Sequence, residues 1–223
     1  MTNSKHEVFE IETLDLLNKG GLLRPLVFGG GTMLRLCREL PRYSVDLDFW
    51  FLKAIDAERY FSRIQSTLAQ RFEITDAAME FYTLLVELRS PQHPRRLKIE
   101  IRREPQPCDW ETAIAFSRFA VKQVLLITHT LTQCMINKVE ALQSRSEIRD
   151  AFDLEFLMRR GVALPPLAKE TVSALIDKIS SFADHDFKVA LGALLEPQLR
   201  DFYNRNRFSF VLDKLRFANF DER

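Results

Sequence analysis

FGGGTMLRLCRELPRYSVDLDF, residues 28–49, runs from an apolar residue into a glycine turn and ends, with fourteen residues between Gly31 and Asp46, on an Asp-Leu-Asp triplet. Alternation in VDLDF turns Asp46 and Asp48 to one face of a strand, because successive side chains take opposite sides, and leaves Val45, Leu47 and Phe49 for packing. Two carboxylates on one face can share divalent ions, and a hard cation such as Mg2+ or Mn2+ takes oxygen ligands of this kind. Such ions bridge an attacking hydroxyl and the phosphates of a nucleotide. Gly29, Gly30 and Gly31 let the backbone come close to a triphosphate. The segment Thr32 to Arg38 has the length of a short helix, whose N-terminal amides meet phosphate oxygens. The pattern predicts a strand, turn, helix and strand built for metal-dependent nucleotidyl transfer.

These residues resemble the DNA polymerase beta-like nucleotidyltransferase superfamily, and within it the AbiEii-type nucleotidyltransferase toxins, whose signature reads GGT-x-L and then R-x-S-x-D-L-D-F. The matching positions are Gly30, Gly31, Thr32 and Leu34, then Arg42, Ser44, Asp46, Leu47, Asp48 and Phe49. Residues 137–157, NKVEALQSRSEIRDAFDLEFL, resemble the family's second signature, K-x-x-A-L-x-x-R and then R-D-x-x-D, through Lys138, Ala141, Leu142, Arg145, Arg149, Asp150 and Asp153. The resemblance implies an α+β fold: a mixed polymerase beta-like sheet with flanking helices, followed by a C-terminal helical bundle. It implies an NTP donor, Mg2+ or Mn2+ held by Asp46 and Asp48, and phosphate contacts from Gly30, Gly31, Thr32 and Ser44. It further implies an acceptor hydroxyl, foremost the 3′ end of tRNA, and a cognate antitoxin. In some relatives the residue at the Ser44 position is a target for inactivating phosphorylation, which would set a dianion beside the carboxylates.

In the second signature Lys138 and Arg145 lie seven apart, on one side of a helix, where two cations can meet one triphosphate. Asp153, in preference to Asp150, joins the catalytic set. The alternative for Arg145, Arg149, Asp150 and Asp153 is a salt-bridge network of little net energy.

Outward from the motifs, Val8, Ile11, Leu14 and Leu17 predict a helix over 6–19 ending near Gly20-Gly21, and Tyr60, Phe61, Ile64 and Leu68 predict a second over 57–70. Residues 81–89 and 96–103 read as a hairpin turned by Ser90 to Pro94. In the second of these strands Glu100 alternates with Leu97, Ile99 and Ile101, matching the superfamily's third carboxylate, which assists the acceptor hydroxyl. The alternative for Glu100 is charge pairing with Lys98 and Arg102. From Thr128 onward the pattern is helical, with Gly161 ending one helix and Pro165-Pro166 starting the next. Loops are expected at 144–147, 161–166 and 181–185. These readings divide the chain into a nucleotidyltransferase domain, 1–120, and a helical domain, 121–223.

With 223 residues, 46% hydrophobic and 28% charged, the chain can bury a substantial core and has no reason to be disordered. It has neither the ~20-residue apolar run that spans a bilayer nor a signal-peptide stretch in MTNSKHEVFE, so no membrane association and a cytoplasmic place are expected. Cys37, Cys108 and Cys134 form no zinc spacing with His6, His93, His129 and His185. A net charge of +1 excludes a wholly basic surface but leaves local ones, at Arg95, Arg96, Arg102 and Arg103 and at Arg159-Arg160. Arg200, Arg205 and Arg207 interleave with Phe202, Tyr203, Phe208 and Phe210, either as an RNA surface or as core. Two further functional readings stand beside tRNA modification: nucleotidyl transfer to a protein or small molecule, and a non-catalytic binding module on the same fold. The intact Asp46 and Asp48 speak against the last.

Overall fold

Leu26–Gly29 (β1) and Asp46–Phe51 (β2) pair antiparallel, with Phe28 opposite Phe49 and Gly29 opposite Asp48. This pair is the centre of a seven-stranded mixed sheet in the order β3-β4-β5-β2-β1-β7-β6, where β3 is Glu73–Met79, β4 Thr83–Arg89, β5 Leu97–Arg102, β6 Trp110–Phe116 and β7 Gln123–His129. The pairs β2–β5 and β1–β7 are parallel and the rest antiparallel. The computed structural model describes residues 2–218, and its two compact units meet in sequence between Thr130 and Leu131.

In the first unit one face of the sheet is apolar. Leu47, Phe49 and Phe51 alternate with Asp46, Asp48 and Trp50, and Leu97, Ile99, Ile101, Leu84, Val86 and Leu88 continue the buried side. Helix α3 (Ala57–Leu68) lies on that side through Tyr60, Phe61, Ile64 and Leu68, with the Tyr60 ring edge-on to Phe51 at 5.1 Å. Its start is fixed by Asp56, whose carboxylate accepts the Arg59 N–H at 2.9 Å, an N-cap of the kind that supplies about 1 kcal/mol. Helix α1 (Thr2–Lys19) packs beside α3 and buries Ile11, Leu14 and Leu17. The face of α1 is turned from the expected one: Phe9 is buried where Val8 is only half-buried, and Glu7 and Glu10 are buried as well. Glu7 is satisfied there by Arg35 Nε and by the Ser117 hydroxyl, each at 2.7 Å.

The second unit is helical: α4 (Leu131–Arg145), α5 (Ile148–Arg159), α6 (Lys169–Ser180), a π-helical turn at Asp186–Leu191, α7 (Pro197–Asn206) and α8 (Ser209–Ala218). Gly161, at φ +79°, ends α5 as expected. Tyr203 and Phe208 are buried and pack with Phe152 and Phe187, so these two belong to the core reading of the C-terminal aromatics, while Phe202 is exposed.

Three boundaries depart from the sequence reading. Helix α2 (Gly30–Arg38) begins at Gly30 rather than Thr32, because Gly30 at φ +71° turns the chain directly out of β1. Helix α6 begins at Lys169 rather than at Pro165-Pro166; each proline disfavours helical geometry in the residue before it, and Ala168 is still extended at ψ 150°. The helical unit begins at Leu131, since β7 carries the sheet through His129.

Candidate active site

The parallel register of β2 and β5 sets Asp46 beside Lys98 and Asp48 beside Glu100. Paired residues share a face and adjacent strands lie ~4.8 Å apart, so the three carboxylates and the lysine project together from the face opposite the core. Asp46, Asp48, Lys98 and Glu100 are all half-buried. The Lys98 ammonium pairs with the Glu100 carboxylate, and this hydrogen bond, with the charges of Glu100, Asp46 and Asp48, holds the lysine above its usual pKa. Behind the sheet, burial and the charges of Glu7 and Asp46 push the Glu10 carboxyl well above the usual carboxylate range.

The glycine turn closes on this acidic face. A Cβ on Gly30 would stand 2.8 Å from Asp48 Cγ and 2.9 Å from its Cβ, closer than side chains tolerate, so only glycine lets Asp48 lie against the first turn of α2. A Cβ on Gly31 would fall 2.9 Å from Ser44 Oγ and 3.2 Å from Arg42 Cζ. Arg42 is buried, and its Nη1 donates to the Tyr43 carbonyl at 2.9 Å. Ser44 precedes the first residue of β2, so strand alternation does not govern it; the loop carries its hydroxyl to Gly31 instead. Glycine backbone, the N–H groups at the start of α2 and the Ser44 hydroxyl thus converge beside Asp48, the composition of an anion cradle. Thr32 is fully buried, its hydroxyl turned into the interior without a hydrogen-bond partner, so it offers the cradle its backbone N–H rather than its side chain.

Two rings flank the carboxylates. Trp50 continues the face of Asp46 and Asp48, with the Arg102 guanidinium 4.8 Å from its ring centre on one side and the His129 ring edge-on at 4.6 Å on the other. His129 is 1% exposed, and burial lowers its pKa to about 4, so it is neutral at pH 7.

The second-signature residues form their own constellation in the helical unit. Lys138 Nζ lies 2.9 Å from Asp150 and 2.6 Å from Asp153, and Arg145 binds Asp150 through Nε at 2.7 Å and Nη2 at 2.9 Å. Asp150 and Asp153 are fully buried. Burial opposes ionisation of Asp150, but the hydrogen bonds and charges of Arg145 and Lys138 outweigh it and bring the pKa down to about 2. The network joins α4 to α5. Arg149 pairs with Glu147 rather than with Asp153.

The donor set on the sheet suits a divalent cation. Among the described residues no group of three or more His, Cys, Asp or Glu side chains is placed to hold a metal ion. Mg2+ does not require one, because it keeps several waters and binds through one or two carboxylates plus substrate phosphates. The Lys98 ammonium stands among these carboxylates, hydrogen-bonded to Glu100 and in the field of Asp46 and Asp48. Sequence reasoning took Lys98 only as a charge partner for Glu100, a pair that the structure forms, and passed over its place beside Asp46. It also passed over Trp50, which has the parity of Asp46 and Asp48, and over His129, which no local pattern marks.

A family model described as "Nucleotidyl transferase AbiEii toxin, Type IV TA system" matches residues 14–222. Among solved structures, JHP933 from Helicobacter pylori is similar at 19% identity and TM-score 0.53, over 93% of this chain and 92% of that one. A second Helicobacter pylori structure, described by its solvers as that of a candidate nucleotidyltransferase, is similar at 19% identity and TM-score 0.57, over 95% of this chain and 97% of that one. At that identity the likeness carries the fold alone. No curated protein matches the chain.

Proposed function

The chain belongs to the AbiEii nucleotidyl transferase toxin family, hence to toxin–antitoxin systems, and from that premise we propose that it transfers NMP from an NTP to the 3′ end of tRNA, with Mg2+ or Mn2+ held by Asp46 and Asp48. The observation that carries this reading is the in-register row of Asp48 and Glu100 closed by the Gly30–Gly31 turn. The ion, when bound, supplies charge neutralisation and alignment for an in-line displacement. The residues do the rest. Backbone N–H groups of Gly31 and Thr32, with the Ser44 hydroxyl, bind the triphosphate oxygens. Glu100 receives the proton of the acceptor hydroxyl as its oxygen bonds to the α-phosphorus, the bond from that phosphorus to the bridging oxygen breaks, and pyrophosphate leaves. Lys98 balances the carboxylates before substrates arrive. The second signature assigns Lys138 and Arg145 to the triphosphate and Asp153 to catalysis. Both cations are already matched by the buried Asp150 and Asp153, so a phosphate role requires the substrate to draw them out of these pairs.

The test is transfer from each of the four labelled NTPs, with Mg2+, to total tRNA and to total protein, comparing the native chain with Asp46→Ala/Asp48→Ala. Label on tRNA that vanishes in the variant is the expected result. Label on protein alone would redirect the chemistry to another acceptor. The absence of label from folded native protein would overturn the catalytic reading in favour of a binding module.

A further inference from the structure

On β5, two residues beyond Glu100 and ~7 Å along the strand, Arg102 stands in register between Trp50 of β2 and Thr83 of β4. The next residue, Arg103, donates its N–H to the Tyr82 carbonyl at 2.9 Å and its Nη1 to the Glu80 carbonyl at 2.7 Å. These bonds hold the β3–β4 tip, where Phe81 and Tyr82 are 77% and 64% exposed with their rings edge to face at 4.5 Å. The two open rings lie side by side as one apolar patch, and such patches mark interaction sites where scattered single residues do not. Two arginines and three aromatic rings therefore follow one another from the carboxylate row outward, with Arg102 over Trp50.

Resting on the nucleotidyl-transfer reading, the side from which an acceptor approaches follows from the chemistry. The triphosphate cradle lies on the β1 side, at Gly30, Gly31 and Ser44, and attacking and leaving oxygens are roughly in line across the reacting phosphorus. The acceptor hydroxyl therefore arrives from the opposite side, past Glu100, where Arg102 and the tip stand. Unpaired nucleotides stack on aromatic rings and guanidinium planes, and cations meet their phosphates; helical RNA cannot offer its bases in this way. We propose that Phe81, Tyr82, Arg102 and Arg103, backed by Trp50, form the dock for the last unpaired nucleotides of a single-stranded RNA acceptor. Stacking selects the occupant: two open rings and the Arg102 guanidinium plane suit unpaired bases, while Glu80 and Glu104 balance the charge of the two arginines.

The experiment measures equilibrium binding of a short fluorescein-labelled single-stranded RNA, and of its duplex form, to the full chain by anisotropy. Variants are Phe81→Ala/Tyr82→Ala, the conservative Phe81→Tyr/Tyr82→Phe, and Asp46→Ala/Asp48→Ala, with folding checked by circular dichroism. Base stacking lost at two rings predicts single-strand binding weakened roughly tenfold or more in the alanine pair. Binding is retained in the conservative pair and in the aspartate pair, and duplex is bound worse than single strand throughout. Equal binding by the native chain and the alanine pair, or no RNA binding by the native chain, overturns the dock. So does an alanine pair that binds RNA normally but no longer binds a cognate protein. Tip-dependent RNA binding without any transfer from NTP sinks the catalytic reading and leaves the dock standing.

Discussion

Gly30→Ala tests whether the turn exists to let a carboxylate lie on a helix start. The substitution has two separable consequences. Gly30 sits at φ +71°, where an L side chain costs roughly 1–2 kcal/mol. At about 2–4 °C per kcal/mol for a chain of this size, melting should fall by roughly 2–8 °C. The new methyl would also meet Asp48 Cγ at 2.8 Å, with a carboxylate oxygen nearer still, so Asp48 has to retreat. If Asp48 holds the metal as proposed, a retreat of about 1 Å predicts a loss of transfer on the order of a hundredfold. Gly31→Ala is the control. Its φ is not positive, and its methyl meets the ends of the Arg42 and Ser44 side chains, so it should melt within about 2 °C of native and raise KM for NTP more than it lowers kcat. Scanning fluorimetry and initial rates of tRNA labelling read both quantities. A Gly30→Ala protein that melts lower yet transfers at the native rate would refute the link between turn and carboxylate. One that is indistinguishable from Gly31→Ala in both readings would refute the backbone argument.

Two further outcomes follow from buried charges. Glu10 binds its proton more tightly folded than unfolded, so between pH 4.5 and its raised pKa the native state carries the extra proton and stability falls with rising pH, by about 1.4 kcal/mol per pH unit from this group. Glu10→Gln should remove that slope in urea titrations across pH and leave the protein more stable than native at neutral pH; an unchanged slope would show Glu10 ionised and paired. Asp150 is the opposite case: its folded pKa of about 2 lies below the ordinary 3.8, so its stabilisation is present above pH 4 and is lost as pH falls towards 2, about 2 kcal/mol in all. Asp150→Asn breaks a buried network and should cost roughly 3 kcal/mol at neutral pH while flattening this acid limb, and a variant that melts like native would assign the cluster to solvent.

The central strands were legible because each obeys one rule on one face. VDLDF and RLKIEIRR alternate, and the structure pairs them in the register that brings Asp48 beside Glu100. Tyr60, Phe61, Ile64 and Leu68 gave α3 for the same reason, a stripe matching the buried face. Strands β6 and β7 were not legible. WETAIAF is inverted, burying only Ala113 and Ala115 and turning Trp110, Ile114 and Phe116 outward, while QVLLITH is apolar on both sides, with Leu126 buried and Leu125 exposed. Periodicity assumes that large apolar residues face the core, and in β6 the small ones do.

The site shows a similar division. Residue type and spacing pointed to the carboxylates, the glycines and the Lys98–Glu100 pairing on one strand, but not to Lys98's place beside Asp46, which comes from the register between two separate strands. What the register adds is a constraint on chemistry. A lysine paired with Glu100 occupies that carboxylate, so in the proposed reaction Glu100 would be open to the acceptor hydroxyl only when the pair loosens. Under the proposed chemistry donor and acceptor would be linked through this pair, because a divalent ion held by Asp46 and Asp48 would compete with Lys98 for the same negative field.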